Sequence, residues 1–471
     1  MQATRGHAKH LWVGLALALS GCALGPDFTP PPTTTPNWQA PLPHGGKVEN
    51  LTQWWAQFND PLLNQLIQEA EQSSPSLDMA WAKVQEARVM AEGSRGGYLP
   101  AVGATVSASK NQSVFGTQVI QQRITRAGFD AGWELDLLGK TRRTVESSHA
   151  MLGASGAQWH AARISLAAEV ADSYVELRQC EATLDLYQQL KQSRLASLGW
   201  MQQKQHAGLA SEVERARSQA SASDSTAAYA AKQGDCARSL NKLTALTGIT
   251  NLPARLAAQR GNLPVPNNVE LSQVAANALN QRPDVAAAAF SLASASADIG
   301  VAKTALFPSL TLGGSIGNSR VSMGGLSLQA TTWSFGPTLN IPLFDGSRRQ
   351  AQLEATRARY DYADASYRRT VREAVREIED TLTRLDVANT RLTAAQQNQT
   401  QFTHILAATT ARRQAGIANG LDWEETHRNA LQADEAVAAQ RRETVSAWIA
   451  VYKALGGGWD GKSEPNRHES K

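Results

Sequence analysis

Three cysteines in 471 residues are too few for a disulfide scaffold or a structural zinc cluster. Charge is also scarce. Asp, Glu, Lys and Arg make up 19% of the chain and the formal net charge is +4, which excludes a disordered polyelectrolyte and leaves no footprint for nucleic acid. No apolar run reaches the roughly 18 residues of a transmembrane helix. The longest, residues 11–19, sits at the N-terminus, so a multi-helix inner-membrane transporter is excluded. Nucleophile elbows, Walker loops, dinucleotide fingerprints and metalloprotease helices are missing too. His149, His160, His206, His404 and His427 lack metal-ligand spacing, and Met79 and Met90 read as packing in an Ala-rich helix. The expectation is a protein that is no enzyme and carries no cofactor or metal.

What the chain does have begins at its N-terminus. Arg5, His7, Lys9 and His10 form a basic stretch, residues 11–19 an apolar one, and Ser20-Gly21-Cys22 a small-residue exit, which is the order of a secretory signal. Leu19-Ser20-Gly21-Cys22 resembles the bacterial lipobox. The resemblance implies that the Cys22 sulfur receives a diacylglyceryl group and that cleavage leaves Cys22 as residue one. The other reading is a plain signal peptide with an incidental cysteine. Ala23 follows where an Asp would resemble an inner-membrane retention signal, which favours sorting to the outer membrane. Residues 25–43 are rich in Pro and Thr and suit an extended tether.

The remainder is written twice. Pro75 recurs as Pro283, Pro100 as Pro308 and Gly208 as Gly416, all at an offset of 208 residues. Ala207-Gly208-Leu209-Ala210 answers Ala415-Gly416-Ile417-Ala418, and Leu137-Leu138-Gly139 answers Leu343-Phe344-Asp345 at an offset nearer 206. Each half opens on an Ala-rich helix, from Pro75 to about Gly93 and from Pro283 to about Ala305, that breaks before a Leu-Pro or Phe-Pro step.

Then the period switches to two. Phe129, Ala131, Trp133, Leu135 and Leu137 alternate with Asp130, Gly132, Glu134 and Asp136. Trp333, Phe335, Leu339, Ile341 and Leu343 likewise alternate with Ser334, Gly336, Thr338 and Asn340. Val102, Ala104, Val106 and Ala108, and Leu310, Leu312 and Ile316, mark the preceding strands. Such alternation fits a half-buried soluble strand or a transmembrane β-barrel strand with a polar lumen. The polar, Gly-containing stretches 110–123 and 317–331 read as outer loops. Long helices follow: residues 347–415 contain neither Gly nor Pro, enough for roughly 100 Å of helix at 1.5 Å per residue. A helix of that length needs others alongside it. The first copy reads as helix from about Gly156 to Ala207 and back through Thr247; the second turns at Gly416 and Gly420 and returns through Leu455. The pairs Arg368-Arg369, Arg412-Arg413 and Arg441-Arg442 read as solvated faces with Glu partners.

Taken together, the pattern resembles the outer-membrane factor, or TolC-like, family and its lipoprotein branch serving tripartite RND-type efflux systems. The residues that carry the resemblance are Leu19–Cys22, Gly25-Pro26-Asp27-Phe28, Trp54-Trp55-Ala56-Gln57-Phe58-Asn59-Asp60-Pro61, the stretch 133–138 and Ala207-Gly208-Leu209-Ala210-Ser211. It implies a mixed α and β membrane protein, a homotrimer whose protomers give four strands each to one 12-stranded outer-membrane β-barrel. A long periplasmic α-helical barrel continues it, with a mixed belt drawing on residues near 252–271 and both chain ends. Implied partners are a periplasmic adaptor, an inner-membrane RND-type pump and outer-membrane lipid; the implied function is passive export of small molecules. Two other readings stay open: the exit duct of a type I protein secretion system, and a scaffold lipoprotein that conducts nothing. The expected organisation is a signal peptide (residues 1–21), a lipid-anchored extended segment (22–60), two repeats (61–260 and 261–456) and a flexible tail (457–471).

The family closes its periplasmic end with helix tips and an acidic ring near the second hairpin turn. Gly208, Gly416, Asn419 and Asp422 are therefore the candidate gate or adaptor-contact residues. Ala418 and Asn419 stand where the family often has an Asp, so Asp422 is the nearest acid; it either rings the axis and favours cations or caps the returning helix. Cys180 and Cys236 each lie 28 residues from Gly208, so a hairpin turning there brings them to one height, either as a disulfide in an oxidising periplasm or as two buried thiols. The lipobox is directly testable. Cys22→Ser is expected to abolish incorporation of labelled palmitate with the fold intact, and label retained by the variant contradicts the assignment.

Overall fold

The computed structural model describes residues 23–31, 51–257, 263–266, 279 and 281–459. The signal region, Cys22, much of the 252–271 stretch assigned to the belt and the chain beyond Trp459 lie outside the described residues. The chain divides into two compact units, each drawing on both halves of the sequence. One comprises Met1–Pro32, Ala82–Gly156 and Ala287–Arg369; the other Thr33–Trp81, Ala157–Ala286 and Thr370–Lys471. In chain order the elements are a 3₁₀ helix (Leu51–Phe58), α1 (Pro61–Ser73), α2 (Pro75–Ser94), a 3₁₀ turn (Arg95–Tyr98), β1 (Ala101–Phe115), β2 (Gln118–Leu135), α3 (Lys140–His206) and α4 (Glu212–Thr247). Then follow α5 (Leu252–Leu256), α6 (Pro283–Thr304), β3 (Ser309–Met323), β4 (Leu326–Asn340), α7 (Arg348–Gln414) and α8 (Gly420–Ala454).

The duplication is exact at the level of elements. The starts of α2 and α6, β1 and β3, β2 and β4, α3 and α7, and α4 and α8 all differ by 208 residues, and α3 and α7 are both 67 residues long. The offset of 206 suggested by the Leu137-Leu138-Gly139 words is a local coincidence of residue types, since the helices that follow start at 208.

The first unit holds a four-stranded antiparallel meander in the order β1-β2-β3-β4. Its register places Ala104 opposite Phe129, Phe129 opposite Ile316 and Ile316 opposite Trp333, so one face is apolar right across the sheet. The other face carries Thr105, Asp130, Ser315 and Ser334, with a 2.8 Å bond from Thr105 Oγ1 to Asp130 Oδ2. The stretches read as outer loops are strand instead. β1 and β2 run on to a two-residue turn at Gly116-Thr117, and β3 and β4 to Gly324-Gly325, where the glycines supply positive φ. Polar cross-strand pairs such as Gln121 to Gln112 at 3.1 Å sustain pairing where the apolar pattern fades. β4 stops at Asn340, so Ile341 and Leu343 leave the ladder, because Pro342 has no N–H to donate. β2 likewise stops at Leu135, short of Leu137.

The long helices begin sooner than their glycines suggest. α3 starts at Lys140, with Gly153 and Gly156 inside it. Gly153 is required there because a Cβ would lie 2.9 Å from the Phe290 ring. Asp136 caps α3 through the Thr141 and Arg142 amides at 3.0 and 2.9 Å. α6, contrary to the count of apolar runs, is long and apolar enough to cross a membrane, with a mean hydropathy of 1.5; alanines supply that value, and its Leu292 and Ala297 are buried.

In the second unit the Trp54–Pro61 signature acquires a physical meaning. Trp54 is 1% exposed and packs against Trp448 and Tyr452; Asp60 caps α1 through Leu62 N at 2.9 Å and accepts the Tyr174 hydroxyl at 2.7 Å; Pro61 opens the helix. Leu51–Phe58 is thus helical, and the segment before α1 is not extended throughout. Gly457 and Trp459, placed in the expected tail, pack against Ile164 and the His160 ring.

Two glycines on the polar face of β2 give a matched test. A Cβ on Gly128 would lie 2.7 Å from Ile316 O, whereas one on Gly132 meets nothing within 4 Å. Gly128→Val is expected to destabilise the sheet by about 1–3 kcal/mol and Gly132→Ala to be silent, read from urea unfolding midpoints.

Candidate pore gate

The two hairpin turns have the same backbone bonds. At the first, Gly208 has φ +71° and its N–H reaches Gln205 O at 2.9 Å, while Leu209 N reaches Lys204 O at 2.8 Å. At the second, Gly416 has φ +73°, with Gly416 N to Arg413 O at 3.0 Å and Ile417 N to Arg412 O at 2.8 Å. Both are left-handed helix stops that glycine adopts without a Cβ penalty. Leu209 and Ile417, at equivalent places, are 76% and 69% exposed.

The returning helices start differently. Ser211 and Glu214 form a capping box on α4, whereas on α8 Asn419 alone accepts from Asp422 N at 2.9 Å. The cap is therefore Asn419. Asp422 sits in the first turn with an exposed side chain, where its charge complements the helix N-terminus.

Behind the second turn lies a latch that sequence reasoning missed. Arg413 stacks over Trp423 at 4.7 Å and over Trp200 at 5.6 Å, so it is not simply a solvated face with a Glu partner. The Trp423 indole N–H donates to Thr410 Oγ1 at 2.9 Å, and a Cβ on Gly420 would strike the Trp200 ring at 2.8 Å. One turn further in, the buried Glu424 accepts the Ser193 hydroxyl, and Arg428 donates to Ser193 and Ser197 at 3.3 and 3.2 Å. Burial, reinforced by Arg194, pushes the Arg428 guanidinium down from its ordinary value. Tyr187 donates to Glu435 at 2.6 Å, and that bond together with burial pushes its phenol up to about 12. These contacts tie α3 of one repeat to α8 of the other. Tryptophans at 200 and 423, in a chain that is 6% aromatic, were the available signal.

Cys180 and Cys236 are joined in the structure, with Cα atoms 5.5 Å apart and a sequence separation of 56. The equivalent second-half positions, Ala388 and Thr444, are also buried, so small side chains fill that level of both hairpins. No group of three His, Cys, Asp or Glu side chains among the described residues is arranged to hold a metal.

A profile of the family described as Outer membrane efflux protein matches residues 66–249 and again 274–457, the two matches set 208 residues apart. The toluene efflux pump outer membrane protein TtgC of Pseudomonas putida is 29% identical over 464 residues, covering 94% of each chain. Outer membrane protein OprJ of Pseudomonas aeruginosa is 27% identical, covering 95% of each. The solved outer-membrane channel OprN superposes with a TM-score of 0.80 at 26% identity, covering 93% of this chain and all of that one.

The cross-link gives a direct measurement. A non-reduced digest is expected to yield one peptide pair carrying Cys180 and Cys236, and its reduction to cost up to about 4 kcal/mol of stability through restored loop entropy. Separate peptides with alkylatable thiols contradict the bond.

Proposed function

We propose how this chain works from one premise: it belongs to the outer membrane efflux protein family. It is the outer-membrane channel of an efflux system and not an enzyme. The observation that carries the rest is the sheet. It has one apolar and one polar face, and among the described residues the outer edges of β1 and β4 have no strand partner. In lipid an open edge leaves N–H and C=O groups unsatisfied, so the sheet must close with copies of itself. Three copies of four strands give a 12-stranded barrel, apolar face to lipid and polar face to a lumen.

The long hairpins then extend into the periplasm and line the duct, with the repeats taken as residues 61–260 and 261–456. Exposed Leu209 and Ile417 at equivalent turns supply apolar contacts for a periplasmic adaptor. An inner-membrane RND-type pump provides the energy, and this protein passes small molecules onward without driving them. The names of TtgC and other efflux-pump relatives support that cargo class over secreted polypeptides. Lipidation at Cys22 holds the protein to the outer membrane, and residues 22–60 precede the first repeat.

Discrete conductance steps in planar bilayers test this assignment; a trimer without conductance leaves the scaffold reading. Asp422 is exposed beside the second turn, and three copies around a narrow axis favour cations. Asp422→Ala is expected to lower cation preference in single-channel recordings, while Asn419→Ala is expected to cost about 1 kcal/mol through loss of the cap. Unchanged selectivity in Asp422→Ala removes the ring.

A further inference from the structure

The residues just after Cys22 do not behave as a tether. Leu24 N donates to Leu138 O at 3.0 Å, which places the segment beside the end of β2. Arg143, 3% exposed, aims its guanidinium at the same segment: Nε donates to Leu24 O at 3.3 Å, and Nη2 to Gly25 O at 3.4 Å and Asp27 Oδ1 at 2.7 Å. Nη1 is held by Glu146 at 2.7 Å, which orients the fork.

Three glycines make the room. Gly25 has φ +109°, and a Cβ there would lie 2.6 Å from Gly300 Cα. A Cβ on Gly300 would lie 2.8 Å from Leu24 O and 2.8 Å from Arg143 Cγ. One on Gly139, at φ +79°, would lie 2.7 Å from Ala23 Cβ. Gly300 is the informative one. It sits inside α6, where glycine is unfavourable for the helix, and the contacts that forbid a Cβ are the N-terminal segment and the arginine that binds it.

We propose that residues 23–27 are a docked strap, and that Gly139, Arg143 and Gly300 form its receptor and act as positioning residues for the membrane anchor. Ala23, the residue that follows the acyl attachment point in the chain, lies against Gly139. Ala23 and Leu24 are thereby held just past the end of β2, where the apolar face ends at Leu135, Leu310 and Leu339. The anchor then sets the depth of the sheet in the membrane instead of merely retaining the protein there. This inference rests on the reading that Cys22 is lipidated, but the docking of the strap does not.

The test uses full-length protein in proteoliposomes with a nitroxide on Thr29→Cys, an exposed position just past the strap, in a Cys180→Ala, Cys236→Ala background. The parent is expected to show an immobilised spectral component. Gly300→Ala, a change that favours the helix itself, and Arg143→Ala are each expected to abolish it with helical content unchanged. Cys22→Ser is expected to retain it. An immobilised component absent from the parent, retained in both receptor variants, or lost in Cys22→Ser overturns the proposal. If the receptor variants do not assemble, hydrogen exchange of the Leu24 amide in the parent decides: slowed exchange supports docking, and the rate of an unprotected peptide overturns it. Mass spectrometry of the N-terminal peptide reads lipidation separately; an unacylated Cys22 beside an immobilised strap removes the anchor reading and leaves the docked strap.

Discussion

Everything else in this protein depends on satisfying the backbone of a four-stranded sheet in lipid. Within the protomer each strand pairs with its neighbours, but β1 and β4 present open edges, and the sheet's apolar face carries Val106, Phe129, Trp333 and Phe335 largely exposed. Water would penalise that face and lipid would penalise those edges. Closure with other copies answers both demands at once. The tight Gly116-Thr117 and Gly324-Gly325 turns serve the same end, since they let the ladders run to the strand tips and leave few backbone groups unpaired.

The two copies share one order of elements but are held by different contacts. Their turns share the Gly208 and Gly416 bonds and the Leu209 and Ile417 bonds at an offset of 208. The second turn is latched through Arg413, Trp423 and Gly420 to Trp200 of the first repeat. The first hairpin instead carries the Cys180–Cys236 link at a level where the second has Ala388 and Thr444. The first hairpin is therefore tied covalently, whereas a guanidinium over aromatic rings at an exposed site contributes on the order of 0.5–1 kcal/mol to the second.

Much of this was legible in the amino-acid order because it rests on periodicity and on punctuation. The period of two in residues 127–137, the Gly- and Pro-free run 347–415 and the paired anchors Gly208 and Gly416 are local signals, and each became a strand, a helix or a turn. Where local signals misled, a distant partner was responsible. The first long helix reads as starting at about Gly156, yet α3 starts at Lys140, and Gly153 sits inside it where the Phe290 ring occupies the space a Cβ would need. Residues 25–43 read as a tether, yet Leu24, Gly25 and Asp27 meet a buried arginine more than a hundred residues away.

The two-faced strands and the long helices are readable from the amino-acid order because each follows from residues within a few positions of one another, and the repeat because its breaker residues recur in one order. Three features came from the folded chain alone: Asn419 and not Asp422 caps α8, Arg413 stacks on two indoles, and Gly300 lies against Leu24 and Arg143. Those outcomes depend on which side chains meet across helices, and no spacing along one chain segment carries that information.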